Sequence, residues 1–576
     1  MDGSNNLVVE LLSVPGDSAR ADVEYRFANP REGWVFISVA GHGDWHVILD
    51  DRRVMNREGT GETTEVMRWL SEGHHTVRVL AEKPRRLGHL VIRAVPELAF
   101  CKYQYDPHVP QYGPYDWEFL RRHILPHVNL VVGSGTPEHD EHVAWWKERG
   151  GKWIIEGPLP GVSAQTISAD EAYDAWVENP GFSNRLADGA MADEFFAGTN
   201  PKYRAWTEAV GRLAANEKLR GKRLYPYLGS HWPDRSDWYE GEGNEGPDSS
   251  KRFLRTVLDA GYVIAWERYL QERHEAALAE EYIEQRLGET MKHWLSVFPD
   301  CAKQLLVCLG YMTITESLDI HPSVDYKVFM DMQFHFLANR PQFAELFGIL
   351  EYTSGYADEE TVRWAARLCR HYGIEGNKDL LSDRYGFTYK LDHIWNPDFA
   401  HGLEGWTIPI WIEKNVAVKS FDRYSHLQGR WPRTSVGDTF FTCKRSAERA
   451  NAISQPIRNL NPGKLYSVKL ISGDYGDLVN GRSAQREHVL SITVEGGDIL
   501  PDRTFRSVVP NNYAHQLDPF AGDNKYWFNY HQTVFRAKGP AARLTISDWA
   551  GPSEPGGPIG QELLYNFVEV QPYFEG

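Results

Sequence analysis

The chain is poor in basic residues and cysteine and has no long apolar run, and each shortage argues against a class of protein. Lys and Arg number 62 against 79 Asp and Glu, so the net charge of −17 disfavours binding to a nucleic-acid phosphate backbone. No apolar run reaches the roughly 18 residues that a membrane-spanning helix needs. The five cysteines form no CxxC pair, so most are predicted to be small buried hydrophobic residues rather than zinc ligands or disulfides.

Several catalytic and targeting signatures are also missing. There is no GxSxG turn for a serine nucleophile and no HExxH metal motif, and the 22 histidines are dispersed. We therefore expect no metal, cofactor, nucleic-acid partner or membrane partner, and the sequence does not indicate an oligomeric state. Residues 1–6 lack the basic and apolar segments of a secretory signal. We expect a secreted or periplasmic protein whose signal is absent from this chain, with a cytoplasmic location as the alternative.

Aromatic residues are abundant, with 20 Trp, 28 Tyr and 25 Phe. Flat amphipathic rings such as those of Trp and Tyr suit contact with sugar rings and other flat ligands. The alternative is that large β-rich domains carry many aromatic residues in their cores. Composition alone favours this alternative. The positions of the rings in the fold decide between core packing and sugar contact.

The hydrophobic pattern divides the chain into three predicted domains, 1–97, 98–384 and 385–576. Short strands and turns without helical periods predict a β-sandwich in the first and third. In the middle domain, eight apolar runs alternate with amphipathic helical stretches, which predicts a (β/α)₈ barrel. A doubly wound open sheet is the alternative, but no glycine-rich phosphate loop follows the first run. The predicted barrel strands are Leu98–Tyr103, Val128–Val132, Trp153–Ile155, Gly189–Asp193, Arg223–Tyr227, Tyr262–Trp266, Gln304–Leu309 and Leu346–Glu351.

Three sequence motifs of the third domain resemble those of known proteins. They are N-P-D-F-x-x-G-L-x-G-W from Asn396 to Trp406, L-x-P-G-K-x-Y from Leu460 to Tyr466, and the closing segment 566–570. The domain resembles a jelly-roll carbohydrate-binding module of the kind appended to glycoside hydrolases. The order of sandwich, barrel and jelly roll is similar to that of many such enzymes, although no particular family can be assigned.

In a barrel, catalytic side chains lie at the carboxyl ends of the strands, where this sequence places acidic residues beside aromatic ones. Asp193 and Glu194 end the fourth strand. The resemblance to barrel hydrolases implies that Glu194 is the general acid/base, with Asp193, where many of them have Asn, modulating its charge. The alternative is structural: Asp193 caps the next helix and Glu194 pairs with an arginine.

The partner carboxylate is open among three candidates. Glu267 and Glu351 each end an apolar strand beside aromatic residues, whereas Glu316 lies several residues past the seventh strand. Each could instead be a structural acid that faces Lys102 or Arg268. The resemblance implies that the enzyme retains the anomeric configuration.

Further side chains at the strand ends are predicted to bind substrate, with core packing as the alternative for the rings. They are Tyr103, Glu156, His231, Trp232, Trp266, Tyr269, Tyr311 and Tyr352, with Tyr227 as a further candidate. The acidic, glycine-rich stretch 237–245 is predicted to be solvated, with a mobile loop or a weak calcium site as alternatives.

Together these features predict a glycoside hydrolase that cleaves a poly- or oligosaccharide with two carboxyl groups. One rival is a carbohydrate-binding or scaffold protein with a degenerate, non-catalytic barrel. The other is a polysaccharide lyase, which needs a Tyr or His base and basic residues at the strand ends, where the sequence has few.

Overall fold

A closed barrel of eight parallel strands lies between antiparallel sheet domains, as the sequence predicts. The computed structural model describes residues 4–16, 18–41, 44–57, 63–81, 87–133, 135, 140–229, 246–412, 414–430, 434–512, 514, 519–520 and 525–576. Within these residues, no helix is long and apolar enough to cross a membrane.

The amino-terminal part forms two antiparallel sheets that pack face to face. Its strands are β1 (Val9–Pro15), β2 (Glu24–Asn29), β3 (Gly33–Ala40), β4 (Trp45–Leu49), β5 (Arg52–Arg57), β6 (Thr63–Leu70), β7 (Gly73–Ala81) and β8 (His89–Val95). One sheet has the order β1–β8–β3–β6 and the other β2–β7–β4–β5. Alternate apolar side chains such as Val35, Ile37 and Val39 fill the space between the sheets. The boundary at residue 97 stays a prediction.

The barrel closes in sequence order, with its last strand paired to its first. Its strands are β9 (Glu97–Tyr103), β10 (Leu130–Gly133), β11 (Lys152–Gly157), β12 (Gly189–Phe195), β13 (Arg223–Leu228), β14 (Ile264–Arg268), β15 (Leu305–Gly310) and β16 (Gly348–Tyr352). All eight predicted strands are present, with ends that differ by a residue or two. The closed path excludes the doubly wound alternative.

Helices alternate with the strands along the chain and surround the barrel, as the sequence predicts. They are α1 (Trp117–His123), α2 (Asp140–Glu148), α3 (Ala169–Glu178), α4 (Pro180–Ser183), α5 (Lys202–Ala215), α6 (Ser250–Asp259), α7 (Ala276–Ile283), α8 (Thr290–Val297), α9 (Tyr326–Asn339), α10 (Glu359–Leu368) and α11 (Leu381–Tyr385). Local chemistry explains their starts: Ser168 and Glu171 form a capping box on α3. Helices α7 and α8 are joined by a π-helical segment at 284–289.

The amino-terminal sheets seal the base of the barrel, where β9 and β11 begin. Glu97 accepts hydrogen bonds from Trp34 Nε1 (3.3 Å) and Tyr225 Oη (3.0 Å). The Lys152 ammonium lies 3.1 Å from the centre of the Trp69 ring. Burial at this junction lowers the pKa of Lys152 to about 7. The base is therefore a packed interface, and the carboxyl ends of the strands form the other end of the barrel.

The carboxyl-terminal part is again built from antiparallel sheets. Its elements are β17 (Val416–Ser420), α12 (Tyr424–Leu427), β18 (Thr439–Lys444), β19 (Ala452–Ile457), β20 (Leu465–Asp474), α13 (Tyr475–Val479), β21 (Ser491–Glu495), β22 (Gly497–Ile499), β23 (Phe505–Asn511), β24 (Tyr526–Ala537), β25 (Ala542–Ser547), β26 (Trp549–Gly551), β27 (Glu554–Pro555) and β28 (Glu562–Pro572). A seven-stranded sheet, β17–β18–β28–β20–β24–β22 with β23 beside β24, packs against the sheet β19–β25–β21. The jelly-roll connectivity and the boundary at residue 384 stay predictions.

A buried ion-pair network joins this part to the barrel. Lys469 of β20 places its ammonium 3.0 Å from Asp358, the capping residue of α10, and 3.8 Å from Glu360. Lys327 of α9 lies 3.3 Å from Glu360 on its other side. Burial opposes ionisation of Lys469, but the carboxylates outweigh it and raise its pKa. The charges compensate one another inside the interface.

Replacing Lys469 with Met should destabilise the protein, because Asp358 and Glu360 would be left buried without their partner. Breaking a buried pair in this way typically costs about 3–5 kcal/mol. Scanning calorimetry should show a lower unfolding temperature, with the barrel and carboxyl-terminal transitions moving apart. Lys538→Met removes an exposed pair with Asp498 and should change stability by less than about 1 kcal/mol. Equal effects of the two substitutions would contradict this account of the interface.

Candidate active site

The alternation of side chains along the barrel strands decides which residues reach its open end. Its core contains Ile154 of β11, Met191 of β12, Ala265 of β14 and Leu350 of β16. Since neighbouring residues of a strand point to opposite faces, the next inward positions are those two residues later. These positions are occupied by Glu156, Asp193, Glu267 and Tyr352. Three carboxyl groups and a phenol thus face the mouth of the barrel.

Asp193 and Glu156 form one side of this mouth. The Lys102 ammonium, at the end of β9, lies 2.9 Å from Glu156. Burial and the charges of Glu156 and Glu194 together raise the pKa of Asp193 to about 7, with Lys102 opposing them. Asp193 therefore exchanges its proton near neutral pH, as a general acid needs to.

Glu194 occupies an unusual backbone position next to Asp193. Its φ of 61° lies in the left-handed region, which residues other than glycine seldom adopt. The pairing of β12 with β13 is irregular between Ala192 and Phe195, and the Glu194 side chain is exposed. Phe195 is buried against Trp206 and Phe253, which anchors the strand beyond the irregularity. Strained positions of this kind concentrate at functional sites.

Three tyrosines form the wall between the carboxyl groups. Tyr269 and Tyr352 stack with ring centres 5.7 Å apart, and Tyr227 lies 5.9 Å from Tyr352 and hydrogen-bonds to Tyr269. The Tyr227 hydroxyl also lies 3.1 Å from Cys308 Sγ. Burial and the charge of Glu267 raise the pKa of Tyr269, whereas burial together with Glu156 and Asp193 raises that of Tyr352. The charge of Glu267 thus acts on Tyr269, whereas the charges of Glu156 and Asp193 act on Tyr352.

Lys102 is the main residue of the site that sequence reasoning did not assign to it. Its ammonium lies 5.1 Å from the centre of the Tyr105 ring, and the Tyr105 hydroxyl lies 3.4 Å from that of Tyr356. A Cβ atom at Gly355 would come within 2.0 Å of the Tyr105 ring, so only glycine leaves room for it. The sequence did contain a signal for Lys102, because it is a charged residue in the otherwise apolar strand Leu98–Tyr103.

Four of the predicted site residues lie behind the barrel wall rather than at the mouth. Tyr103 packs against Trp117 and Trp153, and Trp266 packs against Trp294. The Tyr311 hydroxyl donates to the Cys101 carbonyl at 2.7 Å.

Glu351 is the fourth of these residues. Its carboxylate lies 3.7 Å from Cys369 Sγ, in the layer between strand and helix, and burial raises its pKa to about 8. Strand alternation explains the placement, because Trp266 and Glu351 each follow an inward residue and so point outward.

The remaining candidates are Glu316, His231, Trp232 and the stretch 237–245. Glu316 is half-buried, with a φ of 71°, in the segment after β15. His231, Trp232 and the stretch 237–245 lie outside the described residues. All five cysteines are buried, as predicted. Within the described residues, no group of three His, Cys, Asp or Glu side chains is arranged to hold a metal ion.

Solved structures that resemble parts of the chain do so at low identity. An endo-β-N-acetylglucosaminidase from Cordyceps militaris has 13% identity and a TM-score of 0.32, over 48% of this chain and 90% of that one. A β-glucuronidase from Ruminococcus gnavus in complex with D-glucaro-δ-lactam has 13% identity and a TM-score of 0.32, over 61% and 67%. A GH2 β-galacturonidase from Eisenbergiella tayi bound to galacturonate has 9% identity and a TM-score of 0.31, over 60% and 89%.

No protein-family model matches the chain, and no curated protein matches it significantly. The TM-scores of the solved structures are too low to carry an argument about this chain.

The raised pKa of Asp193 predicts a specific dependence of stability on pH. A carboxyl group whose pKa is higher in the folded than in the unfolded state stabilises the fold fully below about pH 4, and this contribution is lost as the pH rises through about 7. Asp193→Asn cannot ionise, so its stability relative to wild type should increase between pH 4 and pH 8, by up to a few kcal/mol. Thermal unfolding followed by circular dichroism at both pH values measures this change.

The matched control for this experiment is Asp300→Asn, at a side chain of the barrel that is 89% exposed. Its stability relative to wild type should be the same at both pH values. A pH-independent effect of Asp193→Asn would show that the carboxyl group does not titrate as described.

Proposed function

We propose that the protein is a glycoside hydrolase whose reaction takes place at the mouth of the barrel. The observation that carries the proposal is a carboxyl group with a pKa of about 7, Asp193, placed at the strand ends with Glu156 and Glu267. Glycoside hydrolysis needs one carboxyl group that protonates the leaving oxygen and one carboxylate that attacks the sugar or activates water.

We assign the role of general acid to Asp193 rather than to Glu194. Asp193 points inward and is half-buried, and its pKa suits proton donation near neutrality. Glu194 is exposed at the irregular end of β12, where its charge helps to raise the pKa of its neighbour and its side chain is free to approach a bound substrate. The roles that the sequence suggested for these two residues are thus exchanged.

Glu267 is proposed as the nucleophile of a retaining reaction. It is the inward carboxylate on β14, and its charge acts on Tyr269 and Tyr227 of the tyrosine cluster. Glu351, another sequence candidate, is buried behind the wall, beside Cys369. Glu156 is held by Lys102, which suits it to keep the charge balance of the site rather than to attack.

The proposed substrate is a poly- or oligosaccharide. Tyr269 and Tyr352 form a stacked aromatic wall on which an apolar sugar face can pack. The phenol hydroxyls and the carboxylates around them supply hydrogen-bond partners for sugar hydroxyls. A screen of polysaccharides and aryl glycosides for product release identifies the sugar and the linkage.

Replacing Asp193 should separate acid catalysis from the rest of the reaction. Asp193→Asn should lower kcat/KM on a polysaccharide by about 100- to 10,000-fold, because the leaving sugar then departs without a proton. The loss on a p-nitrophenyl glycoside should be much smaller, since p-nitrophenolate needs no proton to leave. Glu194→Gln, the adjacent carboxylate, serves as the matched control and should lose clearly less than Asp193→Asn on the polysaccharide. The reverse order would return the acid's role to Glu194.

Removing the nucleophile should create a site that a small anion can fill. Glu267→Ala should be almost inactive, and added sodium azide should restore turnover of an aryl glycoside by forming a glycosyl azide of inverted configuration. Glu351→Ala is the matched control and should show no such rescue. Rescue of Glu156→Ala instead would move the nucleophile to β11, and full activity of both Glu267→Ala and Asp193→Asn would exclude the proposed function.

A further inference from the structure

The motif Asn396–Trp406 forms a closed loop around one buried amide side chain. Asn396 Nδ2 donates to the carbonyls of Gly402 (2.9 Å) and Glu404 (3.1 Å), and its Oδ1 accepts the backbone N–H of His401 (3.0 Å). The Trp406 indole N–H, at the end of the loop, donates to the Asn396 carbonyl at 3.1 Å. These hydrogen bonds within the loop hold its conformation.

This loop holds Trp395 rigidly while leaving its ring in solvent. Gln455 accepts from the Trp395 N–H at 3.0 Å and donates to its carbonyl at 3.2 Å, so the backbone is held from both sides. The His401 ring stacks on the indole with centres 5.7 Å apart and planes 13° from parallel. A Cβ at Gly405 would lie 2.6 Å from the indole Cδ1, so the glycine allows close packing. Even so, Trp395 is 54% exposed.

The exposed ring lies in a groove of about 930 Å³ between two parts of the molecule. One wall is the loop of Trp395, and the other consists of the barrel segments that follow β14 and β15, including His274 and His321. Both segments leave the carboxyl ends of their strands, so the groove and the barrel mouth belong to the same side of the barrel. Charged side chains also line the groove, among them Asp392, Asp398, Glu404, Lys390 and Arg458.

We propose that this groove is a second carbohydrate-binding site, which takes a neutral glycan chain with one sugar ring packed on Trp395. A single exposed aromatic ring is ordinary on a protein surface. Here the ring is fixed before binding, so little conformational entropy is lost when a ligand packs on it. The surrounding carboxylates and the arginine are suited to hydrogen-bond the hydroxyl groups of a sugar.

Charge and polarity determine the class of ligand. Three carboxylates and two cationic side chains, Lys390 and Arg458, line the groove, which leaves an excess of one negative charge on a chain whose net charge is −17, and this disfavours a polyanionic glycan. A protein partner would instead favour a larger continuous apolar surface than one indole among polar groups. The inference is independent of hydrolysis in the barrel, because it concerns binding by residues of the carboxyl-terminal part and the neighbouring barrel segments.

Affinity gel electrophoresis of the full chain tests the proposal, with galactan, xyloglucan, arabinoxylan and mixed-linkage glucan as neutral probes and polygalacturonate as the acidic one. The experiment is run in an Asp193→Asn background, so that binding is read separately from turnover. At least one neutral probe should retard the protein. Trp395→Ala should weaken that binding at least tenfold, and His401→Ala should weaken it less.

Trp411 provides the matched control, since it is 61% exposed in the same part of the chain but does not line the groove. Trp411→Ala should bind within twofold of the parent. Unchanged binding by both Trp395→Ala and His401→Ala, retardation by polygalacturonate alone, or retardation by none of the probes would overturn the proposal. If Trp395→Ala fails to fold, His401→Ala is the deciding variant. We expect it to bind the probe measurably more weakly than the parent. Binding with the affinity of the parent would overturn the proposal.

Discussion

Side-chain alternation in a closed sheet is the constraint on which the rest of this molecule depends. Once eight strands close into a barrel, every residue of a strand must face either the packed interior or the surrounding helices. Within the regular part of a strand, a carboxyl group reaches the open mouth from the last inward position. Asp193, Glu156 and Glu267 meet this condition, and Glu351 does not. The chemistry of the mouth thus follows from strand register before any individual contact is considered.

The same constraint explains what could be predicted from the sequence. The eight strands were predictable because each is a short apolar run bounded by turns, and helix starts such as that of α3 have local capping signals. The flanking antiparallel sheets were predictable from strand spacing. The sequence also shows that Ala265 and Glu267 lie on one face of β14 and Trp266 on the other. It does not show which of these two faces points into the barrel.

Other features of the site depend on irregular backbone that no pattern indicates. The irregular pairing of β12 between Ala192 and Phe195 decides which of two adjacent carboxylates is half-buried and which is exposed. The ion pair of Lys102 with Glu156 brings together two strands separated by a third, so neither residue predicts the other. Likewise, Lys469 is far from Asp358 and Glu360 along the chain, and the three charges come together only when the carboxyl-terminal sheets dock on the barrel.

The sealed base of the barrel has a consequence for the behaviour of the whole protein near neutral pH. Lys152 has a pKa of about 7 there, well below its value in an unfolded chain, so the folded state releases this proton more readily than the unfolded state does. Its contribution to stability therefore increases as the pH rises from 7 towards 10, which is opposite in sign to that of Asp193 between pH 4 and 7. Taken together, these two groups at opposite ends of one barrel give a stability minimum near neutrality. Asp193 therefore contributes most to the stability of the fold at mildly acidic pH, and Lys152 contributes most at mildly alkaline pH.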